Sequence, residues 1–245
     1  STPTIKIDSG RGVDVLITTH LAIRDVALGT ASTANYHFIA QSNFLYEGLS
    51  SNAVVEAGSL ELAGSSTVHH QTLRNLRVQG NTTMLGTVLA SLLLTGVSTA
   101  TIEDSEVTTY PTVAAGLLAY MYINAFTGTA YIRNTVFGGS ASGVDGLRIN
   151  GSTGGHIVFE NCTITHTGTG NAWALRILNS SGIHFKNCKF YSEVGQAIRV
   201  EGSGVTFENC TVTAGNDESL SNPQLICGYG AKFINCFAFY GAANV

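Results

Sequence analysis

The 245 residues are 44% hydrophobic and only 11% charged, with 28 glycines and a net charge of −4. That balance fits a folded core and excludes a disordered segment. It also gives no electrostatic attraction to nucleic acid or an anionic membrane. Apolar runs such as residues 88–94 are too short to span a bilayer, so no membrane insertion is expected. No basic-then-apolar signal opens the chain, and it begins at Ser1 without Met, as a mature product or an excised part of something longer would.

Residues 1–12 read as a lead-in cap, 13–240 as one run of coils and 241–245 as a tail, a single β-helix domain over 1–245. Each coil contains a strand that ends on Asp or Asn. The first is Ile23-Arg24-Asp25; the second, Leu45-Tyr46-Glu47-Gly48, is the least regular. Leu73-Arg74-Asn75, Ile102-Glu103-Asp104, Ile132-Arg133-Asn134, Phe159-Glu160-Asn161, Phe185-Lys186-Asn187, Phe207-Glu208-Asn209 and Phe233-Ile234-Asn235 follow, at steps of 29, 30, 27, 26, 22 and 26 residues. A second strand precedes each, from Leu60-Glu61-Leu62 through Leu92-Leu93-Leu94, Met121-Tyr122-Ile123, Leu147-Arg148-Ile149, Leu175-Arg176-Ile177 and Ile198-Arg199-Val200 to Leu225-Ile226-Cys227. All alternate in–out–in, as half-buried strands do. The repeat is too short for a strand–helix–strand unit, and stacking each strand on its equivalent about 4.8 Å away gives a parallel β-solenoid.

Stacking turns the repeat into columns. Leu73, Ile102, Ile132, Phe159, Phe185, Phe207 and Phe233 form an interior apolar stack, and the Asp/Asn column marks a bend where a short polar side chain tolerates a left-handed backbone. Four of the five cysteines (Cys162, Cys188, Cys210 and Cys236, but not Cys227) follow Asn, which predicts stacked core thiols and not zinc ligands. With this asparagine ladder and aromatic stack, the chain resembles the pectin-lyase-like right-handed parallel β-helices over about residues 13–240. The resemblance implies an all-β solenoid of about nine coils. It carries no activity, because the fold hosts lyases, hydrolases, adhesins and viral spikes.

The outward residue before each Asx reads Arg74, Glu103, Arg133, Glu160, Lys186, Glu208, an alternating ion ladder. Glu160 and Glu208 stand two coils apart, close to a glycosidase spacing, but Lys186 between them would hold both ionised. The second outward column reads Glu61, Leu93, Tyr122, Arg148, Arg176, Arg199, Ile226. Three stacked arginines need an offsetting partner, which Glu201, Asp145, a second subunit or a bound anion could supply. Trp173 and Tyr122 lie beside them. Tyr122, Arg148, Trp173, Arg176 and Arg199 are therefore the candidate site for an acidic saccharide, against the alternative of a solvated or subunit-facing ladder. No His/Cys pattern suits a metal, no GxSxG is present, and no cofactor is expected. Ice-binding Thr-x-Thr columns are interrupted at Lys189-Phe190-Tyr191, and calcium-binding Gly-rich repeats do not recur.

Leu93 and Ile226 point outward by alternation, and residues 85–97, 113–126 and 237–240 are more apolar than a solvated face needs. A side-by-side homotrimer would cover them. Together with a neutral Ser/Thr/Gly/Ala-rich surface, this resembles a bacteriophage tailspike or tail-fibre receptor-binding domain. That resemblance implies a homotrimer in the virion tail, outside the cell, binding bacterial surface polysaccharide. The alternatives are a depolymerase of the same fold, a glycoside hydrolase or polysaccharide lyase with acids drawn from Asp145, Glu193, Glu201, Asp217 and Glu218, and an adhesin or structural solenoid.

Overall fold

The computed structural model describes residues 4–6, 13–17, 21–24, 27–29, 36–48, 54–56, 59–63, 70–80, 90–96, 99–109, 117–170, 172–193, 196–215, 225–228 and 230–240. Each pass of the chain lays one strand on each of three sheets in turn. The first sheet runs from Val13–Ile17 to Leu225–Cys227, the second from Leu21–Arg24 to Ala231–Ile234, and the third from Thr4–Lys6 to Phe237–Tyr240. Among the described residues they hold nine, nine and ten strands, and neighbouring passes pair in parallel. The chain is a parallel β-helix with its core inside the three faces.

Register follows the expected columns. Ile102 pairs with Ile132, Ile132 with Phe159 and Phe159 with Phe185. The irregular second coil falls into line: Tyr46 pairs with Ile23 and Leu73, and Glu47 pairs with Arg74. Phe159, Phe185, Phe207 and Phe233 stack face to face, with centroids 4.7, 5.0 and 4.7 Å apart.

The bend between the second and third sheets explains the Asx column. Asn75, Asp104, Asn134, Asn161, Asn187, Asn209 and Asn235 all have φ between 48° and 54°, a region that costs most side chains energy. Asn134, Asn161, Asn187 and Asn209 each donate through Nδ2 to the Asx of the coil before, Asn187 to Asn161 at 3.2 Å and Asn161 to Asn134 at 3.3 Å, whereas Asn75 Nδ2 donates to the Gly48 carbonyl at 2.7 Å. The next position takes a small donor. Ser105, Thr135, Cys162, Cys188 and Cys210 each bond the carbonyl two residues back, so thiol and hydroxyl are interchangeable there. Cys162, Cys188 and Cys210 are buried, whereas Cys227 is exposed and off the column.

The ion ladder forms and extends further than expected. Arg24–Glu47, Glu47–Arg74, Arg74–Glu103, Glu103–Arg133, Arg133–Glu160 and Glu160–Lys186 contacts span 3.0 to 3.9 Å. Its last link differs from expectation: His184 Nε2, on the same strand as Lys186, approaches Glu208 at 3.2 Å. Exposed pairs of this kind contribute at most about 1 kcal/mol each.

The outward apolar positions require a correction. Leu93 is only 9% exposed; with Ala90, Ala119, Tyr122 and the half-buried Leu118 it forms a small cluster of its own, so it does not argue for a partner subunit. Ile226 is half-buried. Large apolar side chains are exposed instead in the last coil, at Phe233, Ile234 and Phe237, and on the third sheet at Val136 and Tyr191.

Candidate functional site

The first sheet's outer face carries the candidate site. Simple alternation misreads the start of its strands. Tyr120 and Met121, Ala174 and Leu175, and Ala197 and Ile198 are consecutive core residues. Gly146, just before Leu147, also faces inward: a Cβ there would meet Ala174 O at 2.6 Å and Ile164 Cγ2 at 3.0 Å. Two successive inward residues bend the strand and turn the preceding residue outward. The result is an extra outer column, Ala119, Asp145, Trp173, Gln196, set by the Ala119–Asp145 pairing and by hydrogen bonds from Gly146 N to Trp173 O and Ala174 N to Gln196 O.

Beside it runs the expected column, in continuous register from Tyr122 through Arg148, Arg176 and Arg199 to Ile226. The sheet brings all five predicted residues together, but not as an open aromatic platform. Tyr122 and Trp173 are each 4% exposed. Tyr122 Oη donates to Asn124 Oδ1 at 3.1 Å and accepts from Asn150 Nδ2 at 3.3 Å. The Arg148 guanidinium lies 5.8 Å from the Tyr122 ring centre and that of Arg199 lies 6.0 Å from the Trp173 ring. The rings back Arg148 and Arg199 with a cation–π contact of about 0.5–2 kcal/mol each, and Arg176 has no such ring contact among the described residues.

Three cations stacked at strand spacing repel, and two carboxylates offset them. Arg148 Nη1 lies 3.6 Å from Asp145 Oδ2, and Arg199 hydrogen-bonds Glu201 through both Nε and Nη2. Arg176, in the middle, has no ion pair among the described residues. Polar atoms are left over as well: Asp145 Oδ2, Arg148 Nε, Arg176 Nε and Gln196 Oε1 are buried without a hydrogen-bond partner. Buried polar atoms without a partner call for an explanation, and others among the described residues, at Gln71, His166 and Ser192, lie away from this face. Four on two adjacent columns mark one polar site. Gln196 escapes a sequence reading because its outward direction depends on the bend.

Asp145 is 2% exposed and holds Trp173 N–H at 2.9 Å. Burial pushes its pKa up from 3.8 to about 6, although that N–H and the arginines pull the other way. The folded chain therefore binds more protons than the unfolded chain between about pH 4 and pH 6. Asp145 thus contributes a stability term that is largest below about pH 4, shrinks as pH rises and is lost above about pH 6. Asp145→Asn should remove this slope, so urea unfolding should find the variant gaining on the parent by about 2–3 kcal/mol between pH 4 and pH 7. An unchanged pH profile would show that Asp145 ionises freely.

The other acids are dispersed. Glu201 borders an open groove of about 510 Å³ lined by Thr153, Asn179, Ser180, Ser181, Gly202, Ser203 and Gly228. Glu193 is exposed at the end of Lys189–Ser192, and Asp217 and Glu218 lie outside the described residues. Asp145 and Glu201 stand in different outer columns, two strands apart, and each is engaged by its own arginine. They do not form a facing acid–base pair. Among the described residues no three His, Cys, Asp or Glu side chains could hold a metal ion, and no helix is long and apolar enough to cross a membrane.

Fold and face together define a parallel β-solenoid bearing a cationic column on one outer sheet. Residues 60–242 match the family described as the right-handed beta helix region, and the chain belongs to that family. No curated protein and no solved structure gives a significant match.

Proposed function

We propose that this β-helix binds an acidic polysaccharide along its first sheet, as the receptor-binding part of a bacteriophage tail spike or fibre that assembles as a homotrimer outside the cell. The observation that carries the binding reading is the Arg148–Arg176–Arg199 column, whose central member lacks an ion pair among the described residues while two of its Nε atoms are unpartnered. Arginine's planar fork suits carboxylate groups. The groove beside Glu201, whose exposed lining is mostly carbon, also holds the polar side chains of Thr153, Asn179, Ser181 and Ser203. The apolar last coil, with Phe237 66% exposed, supports a covered end. A trimer would add avidity without new contacts.

Binding of carboxylated bacterial capsular polysaccharides and of their carboxyl-reduced forms tests this. Arg176→Ala should weaken binding of the carboxylated form about tenfold or more, the loss expected for a charge-assisted contact, and should leave the melting transition in place. Equal binding of both forms, or an unaffected Arg176→Ala, removes the arginine column from the site. Shortening of the polysaccharide would show a depolymerase.

A further inference from the structure

The arginine column has a resident anion. Asp145 stands on the strand Asp145–Asn150 with Arg148, and its carboxylate is buried against the guanidinium groups. One oxygen is fixed by the Trp173 N–H at 2.9 Å; the other lies 3.6 Å from Arg148 Nη1 and makes no hydrogen bond. The charged groups facing it are Arg148 on its own strand, Arg176 on the next and Arg199 on the one after, the last already paired with Glu201. The preceding strand brings Ala119 and Tyr122 to these columns, with no charge. No histidine stands on the four strands from Ala119–Asn124 to Ile198–Glu201.

We propose that Asp145 is the proton-linked counter-ion of this column, so that a carboxylated sugar binds the arginines with uptake of one proton by Asp145. This rests on the reading of the column as a carboxylate site. An incoming carboxylate and an ionised Asp145 would compete for Arg148 and Arg176, and two like charges this close disfavour joint ionisation. Protonation resolves the conflict. It takes one proton from solvent, breaks no covalent bond, leaves the arginines to the ligand and gives Asp145 an O–H that can donate.

Burial already holds Asp145 protonated up to about pH 6, so a modest further push from the ligand brings it into the neutral range. Sugar carboxyls, at ordinary carboxylate acidity of about 3–4, stay charged throughout. The column is thereby specific for anions that tolerate a neutral acid beside them, and it binds more tightly as pH falls.

Calorimetric titration with sodium glucuronate, with glucose as control, tests this near pH 7 in two buffers of different protonation enthalpy. The parent should take up roughly half a proton or more, and at most one, per glucuronate bound. Its affinity should rise by up to about tenfold per unit as pH falls from about 7.5 toward 6. Asp145→Asn should take up none, bind independently of pH and bind more tightly than the parent at about pH 7.5. Binding to the parent without proton uptake overturns the inference and leaves the carboxylate site standing. Glucuronate that fails to bind the parent anywhere from about pH 5 to 7.5 overturns both. If Asp145→Asn misfolds, Glu201→Gln decides between the two carboxylates of the column: the parent's proton uptake should persist in it, and its loss there overturns the assignment to Asp145.

Discussion

Phe185→Ala should destabilise the protein by about 3–5 kcal/mol, the range for deleting a buried aromatic ring. Phe185 is fully buried. Its ring stacks on Phe159 at 4.7 Å and 13° and on Phe207 at 5.0 Å and 9°, and it meets Phe190 edge-on at 5.3 Å. Removing it breaks three ring contacts and opens a cavity that parallel strands on either side, tied to one another by hydrogen bonds, cannot collapse to fill. Because coils of a solenoid touch only their neighbours, the loss should be local. Hydrogen exchange should quicken first in the strands Ile183–Lys186 and Val205–Glu208. A urea midpoint shift equivalent to less than about 1 kcal/mol would mean that the phenylalanine column is decoration and the backbone ladders suffice.

Gly182→Ala should be nearly as costly, and for a different reason. Gly182 has φ +72° and its added Cβ would lie 2.3 Å from Gly155 O on the neighbouring coil. That neighbour is backbone and cannot rotate aside, and Gly182 O itself accepts Ile157 N–H at 3.0 Å. Gly154 provides the control: its φ is +79°, but a Cβ there meets nothing within 4 Å. Gly154→Ala should therefore cost only the left-handed penalty of about 1–2 kcal/mol, and Gly182→Ala that penalty plus overpacking, about 2–5 kcal/mol in all. Equal losses at the two positions would show that the coil spacing yields to a methyl group.

The repeat was legible because a solenoid writes its contacts into the sequence at a fixed period. The phenylalanine stack, the Asx bend and the alternating charges each depend on one residue type recurring once per coil, and the charges show that neighbouring coils touch. Arg148, Arg176 and Arg199 fell into register for the same reason. The sequence also offered Asp145, Glu201 and Trp173 as neighbours of that column, but not how they meet it. Asp145, Trp173 and Gln196 reach the outer face only because two successive residues turn inward at the start of each strand, which period-two alternation does not anticipate. For the same reason Leu93 read as a bare outward apolar group and Tyr122 as an open ring for a saccharide, whereas the structure packs them with Ala90 and Ala119. His184 displaced Lys186 from Glu208 because both leave one short strand and the choice between them lies in side-chain reach, not register.

The sequence by itself determined the class of fold, the strand register and the charges along the ion ladder and the arginine column, because these follow from which residue stacks on which. Only the tertiary structure decided which outward side chains are buried, that two of the three arginines already hold carboxylates, and that burial pushes the Asp145 carboxyl up to about 6. Burial and electrostatic environment arise from every element packed around a residue, and a one-dimensional repeat records only the neighbours directly above and below it.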